Sequence, residues 1–268
     1  MSGYPSMIVP VGHVEPVPRR IRAVLGDSTV LDSTDVRYVW EWVGFPQYYV
    51  PLGDVVPGAL VDEGITQHSS RGEVRLHSLC VGEIERRHAA RVLAESTIDS
   101  LSQTVRFEWE ALDAWFEEDE QVFVHPRSPY TRVDALRSTR EVRVELGGVV
   151  LAKTASPVMV FETGLPTRYY INRNEIDFSY LEASDTVTSC PYKGTTSGYW
   201  SLRAGDDNQR DLAWTYDFPT PEVTQIAGMI AFYNEKVDIF VDGELLGRPE
   251  GHVRANHVPA NHVPDTND

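Results

Sequence analysis

An internal repeat constrains this chain more than any other feature. The stretch RAVLGDSTVLDSTDVRYVWEWVGFPQYYVPLGDV, beginning at Arg22, lies over RVELGGVVLAKTASPVMVFETGLPTRYYINRNEI, beginning at Arg143. Arg22 falls on Arg143, Leu25 on Leu146, Gly26 on Gly147 and Glu41 on Glu162, each pair 121 residues apart. GFP (44–46) meets GLP (164–166) with one residue of slip, and Tyr48–Tyr49 then returns to register with Tyr169–Tyr170. Further on, ITQHSSRG (65–72) lies over VTSCPYKG (187–194) at a spacing of 122, and Phe107 over Phe232 at 125. The spacing grows in small steps, as loop insertions make it. Register kept over such a length means two copies of one domain, and we place them at 19–117 and 139–246.

Each copy reads as sheet. VRVELGGVVLAKT sets two glycines between β-branched runs, a hairpin signal. VMVFET, RYYIN, GMIAFYN and KVDIFVDG are short, rich in Val, Ile and aromatics, and bounded by turn residues. GEIERRHAARVLAES has helical composition, but its counterpart GDDNQRDLAWTYDF does not, so a hairpin is expected in both copies. The predicted architecture is all-β, with two small domains in tandem. Residues 1–18 form an N-terminal arm, and 118–138 an ordered Pro- and Arg-containing strap. In that strap Arg127, Arg132 and Asp134 are expected to pair across the domains. Residues 247–268 read as a disordered tail. The tail histidines His252, His257 and His262 fit such a tail better than a metal site.

Charge narrows the partners. The formal net charge is −16, which repels nucleic acid phosphates and anionic lipid headgroups. No nucleic acid or membrane partner is expected. No stretch approaches the ~20 apolar residues that span a bilayer, and no signal peptide is expected. The two cysteines, Cys80 and Cys190, are too few for a Cys-rich zinc site. Reduced thiols in a cytoplasmic protein are the expectation. P-loop, dinucleotide-binding, zinc-protease and nucleophile-elbow motifs are all missing from the sequence. No metal and no cofactor are expected.

Three clusters in the second copy carry chemistry. In TSCPYKGTTSGYW, Cys190 stands three residues before Lys193, in a turn ending at Gly194. A nearby ammonium favours thiolate, so Cys190 is a candidate nucleophile with Lys193 as its electrostatic partner. In FETGLPTRYYI, Glu162 sits among apolar strand residues and needs a partner; Arg168 across the turn is the expected one. The Arg168 fork equally suits a ligand carboxylate or phosphate. Tyr169 and Tyr170 point to opposite faces of a strand, one toward core and one toward a cavity. In LAWTYDFPTPE, Trp214 and Tyr216 share a strand face and, with Trp200 and Tyr192, are expected to form an aromatic wall. The first copy has His68 in the place of Cys190, Arg71 in that of Lys193 and Gln47 in that of Arg168. A pocket is therefore expected in the second copy alone.

The motifs EEDEQVFVHPRSPYTRVDAL, FETGLPTRYYI, CPYKGTTSGYWS, AWTYDFPTPE and AFYNEKVDIFVDG together resemble the tandem-domain members of the bacterial domain of unknown function 427 family. The resemblance covers most of 19–246 and is most specific in 115–246. It implies a compact all-β fold of the β-tent kind seen in Mss4-like domains. Related folds often hold zinc through paired cysteines, which this chain lacks. A nucleotidyltransferase tag is sometimes attached to the family, but LGDST does not supply the Gly-Ser turn and metal-binding aspartates of such enzymes. By motif, Glu162, Arg168, Tyr169, Cys190, Tyr192, Lys193, Gly194, Trp214 and Tyr216 carry over.

The leading expectation is a module that binds a small anionic molecule in the second domain. Its ligand-binding residues are Arg168, Tyr169, Tyr170, Tyr192, Lys193, Gly194, Trp200, Trp214 and Tyr216. The alternative is an enzyme acting on a small electrophile, with Cys190, Lys193 and Glu162 as catalytic residues. A third expectation is a non-catalytic scaffold that binds another protein through sheet edges.

Overall fold

A computed structural model describes residues 6–203 and 209–249; the tail histidines lie outside them. The described residues divide into two compact units, one covering Ile8–Ser128 and the other residues 6–7, 129–203 and 209–249. The first holds β1 (Val14–Pro16), β2 (Ile21–Leu25), β3 (Ser28–Ser33), β4 (Arg37–Val39), β5 (Gln47–Pro51), β6 (Leu60–Ser69), β7 (Gly72–Val81), β8 (Ile84–Leu93), β9 (Thr104–Phe107), β10 (Ala114–Glu117) and β11 (Glu120–Val122). The second holds β12 (Val133–Arg137), β13 (Val142–Leu146), β14 (Val149–Thr154), β15 (Val158–Glu162), β16 (Arg168–Ile171), β17 (Leu181–Ser184), β18 (Ser189–Cys190), β19 (Gly194–Thr195), β20 (Gly198–Leu202), β21 (Ala213–Thr215), β22 (Ile230–Phe232), β23 (Asp238–Val241) and β24 (Glu244–Leu245). Helical structure among the described residues is limited to short 3₁₀ segments, so the chain is all-β.

The repeat is visible in the topology. The first unit has a seven-stranded sheet in the order β1-β4-β5-β9-β8-β7-β6, and the second one in the order β12-β15-β16-β22-β21-β20-β17. Each strand of one list is the repeat partner of the strand in the same place in the other. The four-stranded sheets, β11-β10-β2-β3 and β14-β13-β23-β24, match in the same way once one list is reversed. Every pairing is antiparallel. The expected hairpins are present as β7–β8 and β20–β21. The Gly147–Gly148 turn has φ of 57° and 83°. These positive angles match the right-handed twist of β13 and β14, and two glycines adopt them without a Cβ clash.

Segment 118–138, read from the sequence as a strap, gives a strand to each unit: β11 to the first and β12 to the second. Arg132 and Asp134 were expected to pair across the domains. Instead Arg132 Nε donates to Asp134 Oδ2 at 2.7 Å, within the second unit. Arg132 immediately precedes the edge strand β12 and Asp134 lies two positions on, so the two side chains meet locally and need no distant partner. Part of the expected N-terminal arm also forms a strand, with Val14 paired to Val39 at the edge of the large sheet.

In the second unit the large sheet is covered on both faces. One face joins the small sheet, with Met159, Tyr169, Trp200 and Phe232 packed against Val144, Leu151 and Ile239. The other carries Val158, Tyr170, Tyr199 and Trp214 under Val223 and Ile226 of the 3₁₀ segment Pro221–Ile226. The corresponding face of the first unit holds a smaller cluster of Val39, Tyr49, Val74, Leu93 and Leu101.

His125 in the first unit is buried and stacked on Phe45, with centroids 3.6 Å apart and planes 3° from parallel. Burial pushes its imidazole down from 6.5 to about 4, against the opposing contact of Nδ1 with the Pro126 carbonyl at 2.8 Å. The folded state thus resists a proton that the unfolded chain accepts. The associated stability is complete above pH 6.5 and is lost as pH falls toward 4. The expected loss is about 3 kcal/mol. Denaturant titrations of wild type and His125→Phe at pH 7 and pH 4 check this. A first-domain stability gap between the two proteins that does not change with pH contradicts it.

Candidate functional site

The TSCPYKG stretch at 188–194 folds into a two-strand ribbon. Ser189 pairs with Thr195 and Cys190 with Gly194, closing a turn over Pro191–Lys193. Gly194 has φ of 92°, a conformation that side chains rarely adopt. The ribbon is closed at its open end by its own strands and tied down at its turn by Thr220. Thr196 N donates to the Thr188 carbonyl at 2.9 Å, and Thr220 Oγ1 to the Tyr192 carbonyl at 2.7 Å. This fastening carries Lys193 inward until it is 6% exposed.

There Lys193 Nζ donates to Glu162 Oε2, and both side chains are buried. Glu162 was expected to pair with Arg168 across the GLP turn. The structure pairs it with Lys193 because the ribbon, not the turn, roofs the end of β15. Burial alone would push Lys193 down, but Cys190, Glu162 and Tyr170 around it outweigh that and raise it above the usual lysine range. Cys190 is 4% exposed, and burial pushes its thiol up despite the lowering effect of Lys193. The ammonium that was expected to favour thiolate is committed to Glu162. The thiol is therefore overwhelmingly protonated at neutral pH. Iodoacetamide at neutral pH is expected to label Cys190 far more slowly than the half-buried Cys80 in the native protein. Equal labelling rates, followed by mass spectrometry, contradict this.

Arg168 has its own carboxylate. Nη1 and Nη2 donate to the two oxygens of Glu235 at 2.7 and 2.9 Å, and Nη1 reaches Asn234 Oδ1 at 3.1 Å. The guanidinium lies 5.7 Å from the Trp214 ring centre and 5.4 Å from that of Tyr233. Around it runs a chain of buried polar contacts. Trp214 Nε1 donates to Tyr170 Oη at 3.2 Å, Tyr199 Oη lies 3.2 Å from Tyr233 Oη, and Thr188 Oγ1 lies 2.7 Å from Tyr199 Oη. Burial pushes the phenols of Tyr170, Tyr199 and Tyr233 up, so all are neutral donors at physiological pH.

Glu162, Arg168, Tyr170, Cys190, Lys193, Trp214 and Tyr216 thus gather on one side of the large sheet. Tyr169 and Trp200 do not join them. They point into the core between the sheets, so the expected wall of Trp200 with Trp214 does not form. Strand alternation puts Tyr169 opposite Tyr170, and Trp200 opposite Tyr199. Tyr192 is half-buried, tied through its carbonyl. Sequence reasoning missed Glu235, Asn234, Tyr233 and Tyr199. The first three sit on the turn after β22, and only the pairing of β16 with β22 brings that turn to Arg168.

The first unit keeps the acid–base pair at the repeat positions. Arg71 Nη2 donates to Glu41 Oε1 at 3.0 Å, with side chains 16% and 22% exposed. Among the described residues no group of three or more His, Cys, Asp or Glu is placed to hold a metal ion. No described helix is long and apolar enough to cross a membrane. Residues 13–118 and 134–243 each match the family described as Domain of unknown function (DUF427). No curated protein matches the chain.

Proposed function

We propose, from the premise that the chain belongs to the DUF427 family with one family domain in each half, that it is a non-catalytic module whose second domain binds a small carboxylate at Arg168. One observation carries this reading. Arg168 already grips a carboxylate, that of Glu235, in a two-pronged geometry against aromatic rings. This is the arrangement that a guanidinium offers to a carboxylate ligand. Glu235 sits on a turn after β22, and we read it as a tethered stand-in that a ligand displaces. Lys193 and Glu162 then form a lock that holds the ribbon down, with Cys190 as a small buried hydrophobe beside them. A reduced, cytoplasmic protein of β-tent-like form is part of the same reading. The cysteine-enzyme alternative has less behind it, because its nucleophile is buried and protonated.

A thermal-shift screen with acetate, succinate and benzoate tests the reading, with chloride at matched ionic strength as the control. At least one carboxylate is expected to raise the melting temperature saturably in wild type and not in Arg168→Ala or Arg168→Lys. No shift with any carboxylate, or a shift that survives in both variants, overturns it.

A further inference from the structure

The most unusual charges lie in the first domain. On β8 and β9, Arg91 stands directly opposite Arg106. Like charges opposed across strands repel. The repeat positions of the second domain, matched through the pairing of β21 with β22, are Trp214 and Ala231. The first domain has therefore placed two guanidiniums where its twin has an indole and a methyl. A third, Arg71, joins them from the turn between β6 and β7, with its guanidinium 6.0 Å from the Tyr49 ring centre.

Two carboxylates serve these three cations. Glu41 Oε1 accepts from Tyr49 Oη at 2.6 Å and from Arg71 at 3.0 Å, and its Oε2 is 3.4 Å from Arg106 Nε. Glu108 accepts from Arg106 Nη1 at 2.8 Å and also pairs with Arg91. Three guanidiniums against two carboxylates leave one positive charge over. The Nε atom of Arg71 is buried with no hydrogen-bond partner, and that of Arg106 has only the 3.4 Å ion-pair contact with Glu41. Burial and the neighbouring Arg106 charge depress the Arg91 guanidinium, but arginine does not shed its proton in proteins. The three side chains are 16–22% exposed, so an incoming oxygen can reach them.

We infer that the first domain binds a tetrahedral oxyanion of the phosphate class among Arg71, Arg91 and Arg106. Three forks, two from neighbouring strands and one from the β6–β7 turn, offer more donors than a single planar carboxylate takes up and suit a tetrahedral group. The site is separate from Arg168, whose repeat position here is Gln47. The chain's overall charge of −16 repels free anions at long range, so the site selects at contact distance.

Inorganic phosphate is the probe, titrated into the full chain at constant ionic strength against chloride, with first-domain unfolding as the readout. Wild type is expected to show a saturable rise of several degrees in melting temperature. Arg91→Met removes the opposed charge, and it should lose the phosphate response without losing intrinsic stability. A purely structural ion network predicts the reverse, a less stable protein that responds to phosphate as before. Arg106→Lys keeps the charge without the fork and should bind at least tenfold more weakly. Arg87→Met, on the exposed part of β8, and Arg168→Ala should both respond as wild type does. No saturable response in wild type, an undiminished response in Arg91→Met, or its loss in Arg168→Ala overturns the inference.

Discussion

Lys193→Met is expected to remove about 3–5 kcal/mol from the stability of the second domain, because it leaves the Glu162 carboxylate buried without its partner. That is a large share of the ~5–15 kcal/mol by which a whole domain is stable. The substitution keeps the side chain out to the Cε position and nearly its volume, so the loss is mainly charge pairing. Glu162→Gln is expected to cost a similar amount by stranding the ammonium. The double substitution Glu162→Leu with Lys193→Met should cost far less than the two singles together. An apolar pair avoids the desolvation that the ion pair must overcome. The matching pair Glu41–Arg71 is more exposed and shares its carboxylate with other donors. Its disruption is expected to cost about 1 kcal/mol or less, in the range of partly solvated pairs. Denaturant titrations of the four proteins in the Glu162–Lys193 cycle measure the coupling directly. A Lys193→Met cost below about 1 kcal/mol contradicts the lock, since buried pairs rarely break so cheaply.

Glu235→Gln is expected to have the opposite sign for binding. In wild type a ligand carboxylate must displace the Glu235 oxygens, which are tethered to the fork they occupy. A charge-assisted hydrogen bond contributes about 1.5–3 kcal/mol. Removing this internal competitor should therefore tighten ligand carboxylates by about 10–100-fold, at ~1.4 kcal/mol per tenfold. The ligand-free variant should be less stable than wild type, because Arg168 loses its counter-charge in a site only 14% exposed. Saturating carboxylate should restore that stability.

Much of the fold was legible because duplication writes the same strand pattern twice. The 121-residue register of Glu41 with Glu162 and of Tyr49 with Tyr170 anticipated two sheets of matching strand order. The concentration of Cys190, Lys193, Glu162 and Arg168 in the second copy was legible too. The pairing of charges within that group was not. Glu162 and Lys193 are 31 residues apart, and they meet because the 188–196 ribbon folds over β15. Arg168 and Glu235 are 67 apart and meet because β16 pairs with β22. Strand alternation separated Tyr169 from Tyr170 but did not say which face held the polar cluster. The arginine cluster of the first domain was invisible for the same reason. Arg71, Arg91 and Arg106 look like scattered surface charges until β7, β8 and β9 lie side by side.

Calorimetric titration of succinate into wild type and Glu235→Gln tests the central claim most directly, that Arg168 holds a ligand carboxylate in the place of Glu235. The account predicts tighter binding to the variant, and none once Arg168→Lys is added to it. Binding that is weaker in Glu235→Gln than in wild type, or that persists with Arg168→Lys, contradicts it.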